Sequence, residues 1–145
     1  MTYPDLCVAT ALNEYYVPVQ INVDQSRDLT RKFKVIWTPN INVLDSSENL
    51  CYRVEGWLPA SEYSAMLMIA HGHYFLCHKR YKNAGELFQK VWDKFPHSTF
   101  APEALYYLGV SGYMESHKVE NLTSPWRILQ GYCPQSTWAI RSSIL

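Results

Sequence analysis

The strongest constraint on this 145-residue chain is a hexapeptide that occurs twice. Pro96-His97-Ser98-Thr99-Phe100-Ala101 returns as Pro134-Gln135-Ser136-Thr137-Trp138-Ala139, and from Phe88 to Trp126 the offset is the same 38 residues. Self-similarity at such a period is the mark of stacked supersecondary units, none of which can bury its apolar face alone. Around the copies, apolar residues step by three and four, as on one face of a helix: Tyr63, Met66, Leu67, Ala70, Tyr74 and Cys77, then Ala84, Leu87, Phe88, Val91, Trp92 and Phe95. The same spacing predicts helices over Ser61–Arg80, Lys82–Phe95, Thr99–Ser116 and Pro125–Tyr132, with Ser61 and Ser98 as caps. Proline at the first helical position is favourable, so Pro125 is expected to open the last of these and leave Leu122 outside the pattern.

Within the first unit, Gly72, Phe75, Ala84, Phe88 and Pro96 follow the spacing G-x2-Y, A-x3-F, P, and Gly109, Trp126 and Pro134 occupy the second copy. This pattern resembles the tetratricopeptide repeat. Small residues stand where two antiparallel helices approach, aromatic rings fill the groove and a proline stops the return helix. The wording FPHSTFAPEALYYLG is similar to variant repeats of bacterial envelope and assembly factors. The resemblance implies about two units and the start of a third, with a protein partner bound along the helices. Phe75, Phe88, Trp92, Tyr106, Tyr107 and Trp126 are expected mainly in the repeat core, some of them lining the concave face.

The N-terminal half reads differently. Leu6, Val8, Ala9, Leu12 and Tyr16 predict a helix over Asp5–Tyr15, capped by Asp5. Val17–Val23 is rich in β-branched residues and predicts a strand, and Ser26 is placed to cap a helix over Ser26–Phe33. Thr38-Pro39 then makes a corner before strands Ile41–Leu44 and Leu50–Glu55, joined by the polar turn Asp45–Asn49 and closed by Gly56. Strand, helix and strand in that order predict a right-handed crossover with Val17–Val23 parallel to Ile41–Leu44. This order, with the INVD, KFKVIWTPN and hairpin segments, resembles the second half of a thioredoxin domain. The expected fold is therefore α/β then all-α: an incomplete thioredoxin-like sheet over residues 1–70, followed by tetratricopeptide-like repeats over 71–145.

The thioredoxin resemblance implies a cis bond before Pro39 and a substrate-binding corner at Trp37, Thr38 and Pro39. It also implies redox cysteines, but no CxxC occurs in the chain. The stretch Met1 to Asp5 resembles the family's sequence just after that motif, so an upstream Cys or selenocysteine codon would make the chain a fragment of a thiol-disulfide oxidoreductase. Without it, the expectation is a non-catalytic interaction protein with no cofactor.

Composition narrows the partners. Thirteen basic and 13 acidic residues leave no footprint for nucleic acid or anionic lipid. The apolar run Met66 to Ala70 is far shorter than the roughly 20 residues of a membrane span. His71, His73 and His78 lack a placed third ligand, so no metal is expected, and Cys7, Cys51, Cys77 and Cys133 read as free thiols of a cytoplasmic protein.

Overall fold

The computed structural model describes residues 6–144. Among them are seven helices and two strands: α1 Leu6–Tyr15, α2 Arg27–Lys32, β1 Asn40–Leu44, β2 Leu50–Glu55, α3 Ala60–Cys77, α4 Tyr81–Lys94, α5 Ala101–Ser116, α6 Val119–Tyr132 and α7 Thr137–Ser142. The mixed then helical order agrees with expectation at that coarse level. Asp5, expected to cap α1, lies outside the described residues.

The hairpin forms as its turn chemistry requires. Asp45 Oδ1 accepts from the amides of Ser47 at 2.8 Å and Asn49 at 2.9 Å, an Asx arrangement that leaves Glu48 in the left-handed region at φ 61°. The strands pair antiparallel from Asn40 opposite Glu55 to Val43 opposite Tyr52, after which Leu44 meets Leu50 and Cys51 is skipped. Cys51 is thus a bulge residue, a device that re-aims a side chain.

The expected strand Val17–Val23 does not form, and with it goes the parallel pairing. The sheet has two strands, and Val17 and Val19 are 90% and 74% exposed. A strand is held by its ladder, and among the described residues no strand edge lies against this segment. Pro18 further removes one donor.

Helix α3 is apolar on more than one side and is buried accordingly. Tyr63, Met66 and Leu67 pack with Val8 of α1 and with Ile41, Tyr52 and Val54 of the hairpin. Ala65 and Ile69 pack instead with Ala84, Phe88 and Val91 of α4 and Ala104 of α5. At the far end Leu105, Leu129 and Ala139 join α5, α6 and α7.

The sequence repeat is a repeat of contacts. A β-carbon added to Gly72 would stand 2.5 Å from Phe88 Cε1, and one added to Gly109 would stand 2.9 Å from Trp126 Cδ1. Each first helix therefore lies directly on the aromatic ring of its return helix. The turns match as well. Lys79 and His117, 38 positions apart, are both left-handed at φ 57° and 55°. The return helices end on Phe95 at φ −131°, ψ 51° and Cys133 at φ −132°, ψ 61°. Pro96 and Pro134 follow at once, each unable to continue the helix.

Three caps differ from expectation. Ser61 lies inside the first turn of α3, whose N-cap is Pro59; Ser26 makes no side-chain cap bond; Phe100 rather than Ser98 is the N-cap of α5. Ser98 is recruited elsewhere: its hydroxyl donates to Glu62 Oε2 at 2.7 Å, and Thr99 supplies two further bonds to the same oxygen. Burial raises the pKa of Glu62, but these hydrogen bonds outweigh it and the net shift is downward.

Pro125 does not open α6. The helix begins six residues earlier at Val119 and carries the proline inside. An interior proline costs about 3 kcal/mol by removing a donor and crowding the preceding turn. Here the preceding turn is held from outside. Leu122, expected to fall outside the pattern, presents its carbonyl under Gly109, and the Asn121 side chain donates to Ser116 Oγ at 2.7 Å.

Two glycines of the array should respond oppositely to alanine. At Gly109 the added carbon would meet the Leu122 carbonyl oxygen at 2.7 Å, so Gly109→Ala should destabilise by about 2–3 kcal/mol. At Gly131 in α6 nothing lies within 4 Å, and Gly131→Ala should stabilise by roughly 0.5–1 kcal/mol. Urea unfolding of the two variants measures both.

Candidate functional site

Two regions carry polar or exposed side chains that the fold has positioned. The first is the corner before the hairpin. Arg53 of β2 donates through Nε to Asn42 Oδ1 at 2.8 Å and through Nη2 to the Phe33 carbonyl, which ties the end of α2 to the sheet. Lys34 turns the chain at φ 50°, and Gly56 N–H bonds the Pro39 carbonyl at 2.8 Å. Between these anchors Ile36 and Trp37 are 88% and 69% exposed, and Thr38 and Pro39 are also exposed. The Thr38-Pro39 bond is cis. Trp57, two positions past Glu55 on the adjoining strand, is a second exposed indole beside the corner.

The second region is where the hairpin meets the helices. Glu103 of α5 is buried, and its two oxygens are both engaged: Oε1 with His73 Nε2 at 2.8 Å and Oε2 with the Tyr52 hydroxyl, which donates at 3.0 Å. The His73 ring stacks on Tyr52 with centroids 4.7 Å apart and meets Tyr107 edge-on at 4.4 Å. Burial, and then the Glu103 charge, push the Tyr52 hydroxyl pKa upward; the same two causes raise Tyr107. A carboxylate, an imidazole and a phenol in one cluster are the ingredients of acid-base chemistry. Their mutual saturation, with rings packed around the carboxylate, makes the cluster a bond between three elements.

No family model, curated protein or solved structure matches this chain.

The repeat residues are brought together in pairs. Gly72 meets Phe88 and Gly109 meets Trp126, whose indole N–H also donates to the Tyr106 carbonyl at 3.0 Å. Ala84 is fully buried in the same layer. Phe75 is half-buried at the rim, stacked on His71 at 4.5 Å with the Arg80 guanidinium 4.5 Å from its ring. An aromatic row continues along the array: Trp138 lies 5.2 Å from Tyr106 and 5.4 Å from Tyr107, with the Arg141 guanidinium 4.7 Å from its ring. The corner residues Trp37, Thr38 and Pro39 take no part in this row.

Neither Glu103 nor Tyr52 stands out in the sequence as a site residue, and His73 reads there only as an unsupported metal ligand. Their contacts span 51 and 30 residues, so no local spacing betrays them. Among the described residues no group of three or more His, Cys, Asp or Glu could hold a metal ion.

The Tyr52 hydroxyl gives a pH signature. Its pKa is raised in the fold, so the native chain keeps a proton that the unfolded chain loses above about pH 10. Stability is full below that pH and falls as pH rises beyond it. Tyr52→Phe should cost about 1 kcal/mol at pH 7 by leaving one carboxylate oxygen with fewer partners. The same variant should flatten the alkaline loss, which urea midpoints measured from pH 7 to 11 will resolve.

Proposed function

We propose that the chain is a non-catalytic protein-interaction module of thioredoxin ancestry, in which tetratricopeptide-like helices bind a protein partner and the Trp37-Thr38-Pro39 corner binds an extended segment. The observation that carries this reading is the recurrence of Gly72 on Phe88 as Gly109 on Trp126, between turns and caps of matching geometry. Stacked hairpins of this kind build an elongated surface whose side chains are free to vary, which is how repeat proteins take partners. The aromatic row of Tyr106, Tyr107 and Trp138 supplies rigid anchor residues of the type that dominate binding energy. At the corner, no hydrogen bond engages the Trp37 or Thr38 backbone among the described residues, so those groups are available to an added strand.

The rival reading, a fragment of a thiol-disulfide oxidoreductase, asks for a low-pKa thiolate as nucleophile. That reading places the nucleophile upstream of Met1; within the chain Cys51 does not stand in for it, because burial first, then the neighbouring Cys77, push its thiol up to about 11. Free thiols of this character suit a reducing compartment, and the cytoplasm is the proposed setting. Among the described residues no helix is long and apolar enough to cross a membrane.

Selection of binders from a random-peptide display library against the intact chain tests the interaction reading. Selected peptides should lose about tenfold or more in affinity on Trp138→Ala or Trp37→Ala, the equivalent of at least ~1.4 kcal/mol. A library yielding no binder sensitive to either substitution would overturn it. In an insulin-reduction assay the 145-residue chain should turn over no faster than a variant with all four cysteines replaced.

A further inference from the structure

The bulge in β2 has a chemical consequence. Strand alternation alone would send Cys51 to the face opposite Tyr52, away from α3, but Cys51 is the residue skipped in the register. Cys77, in the last turn of α3, stands at the same juncture as the neighbour that, after burial, raises the Cys51 thiol, and both thiols are free. A second contact fixes the same juncture. His78, next to Cys77, places Nε2 3.6 Å from Oδ2 of Asp45, the residue whose amide bonds the Asn49 carbonyl across the hairpin turn. The Cys51 thiol is itself 3.7 Å from that carbonyl. The His78–Asp45 contact therefore sets the end of α3 against the tip of the hairpin, with one cysteine on each side of it.

We propose that Cys51 and Cys77 are a reversible disulfide site, closed by a low-molecular-weight disulfide and reopened by thiols. Cys77 is the exposed member and reacts first. Its thiolate attacks one sulfur of the reagent, forming a mixed disulfide and releasing the reagent's other half as a thiolate. Cys51, deprotonated in its turn, attacks the Cys77 sulfur and expels the second half. The two protein thiols are oxidised, the reagent disulfide is reduced to two thiols, and the two protons lost by the protein end on them. Burial holds the Cys51 thiol above its ordinary value, which makes the second step the slow one. Closure covalently joins the hairpin to the first helix of the array, across a loop long enough for the cross-link to restrict the unfolded chain appreciably.

Incubating the intact chain with excess glutathione disulfide, blocking remaining thiols and digesting with trypsin without reduction tests this directly. Cleavage after Lys34, Arg53 and Lys79 puts Cys51 in the peptide 35–53 and Cys77 in the peptide 54–79. The expected product is these two peptides joined, released by dithiothreitol, with the melting temperature of the oxidised chain raised by roughly 5–10 °C. Repeating the reaction in a Cys7→Ser, Cys133→Ser background should give the same linked pair. Separate glutathione adducts on the two peptides, unmodified thiols, or linkage of either peptide to a different cysteine would each overturn the assignment.

Discussion

Helix α3 has too much apolar surface for any single neighbour to cover, and the rest of the structure follows from that. Tyr63, Met66 and Leu67 need one cover and Ala65 and Ile69 another, on different sides of one cylinder. The hairpin with α1 supplies the first and α4 with α5 the second. At about 25 cal/mol per Å2 of apolar surface removed from water, each fully buried side chain of this size is worth some 1.5–3 kcal/mol, so exposing either side would cost more than a small domain can spare. The N-terminal segment and the helical array are thereby linked through a shared helix rather than a flexible connector.

Sharing a helix brings polar groups into the seam, and their saturation decides whether the seam holds. Glu103 sits where α3, α5 and β2 converge, and a buried carboxylate without partners would be strongly unfavourable. His73 from α3 and Tyr52 from β2 each satisfy one oxygen, so the carboxylate becomes a bond among three elements. Tyr16, just past the end of α1, adds a further directional bond, donating to the Leu67 carbonyl at 2.7 Å. Its hydroxyl is pushed upward by burial alone. Directional contacts of this kind add little net stability each, but they select one seating of the hairpin on the helix from the many that apolar packing would tolerate.

What was legible in the sequence was what is local or periodic. The helices showed because their apolar residues step by three and four, and the hairpin because Asp45 and Asn49 bracket a polar turn between two β-rich runs. Gly72 and Phe88, and Gly109 and Trp126, showed because repetition doubled a signal that is weak once. The Val17–Val23 strand failed because β propensity describes a fit to neighbours, and among the described residues no strand edge lies against it. Pro125 misled because it is a local signal for a helix start, overridden by contacts of the preceding turn with Gly109 and Ser116. Tyr52, His73 and Glu103 were illegible because each belongs to a contact made only after distant elements have packed. The bulge that turns Cys51 is one skipped residue, with no composition of its own.

The two copies of the repeat also separate what the array needs from what the hairpin adds. Where the array alone decides, the copies agree: Val91 and Leu129, 38 positions apart, are both fully buried, as are Ala101 and Ala139 nearly so. Where the hairpin intervenes, they part. Glu103 is buried against Tyr52 and His73, whereas its counterpart at the same offset, Arg141, is exposed over Trp138. Opposite charges at equivalent sites would be inexplicable as repeat chemistry. They follow at once if position 103 answers to a phenol and an imidazole at a seam and position 141 answers to an indole and to water. The polar cluster is therefore a property of the junction, superimposed on a repeat whose own logic is only the close approach of glycine to an aromatic ring.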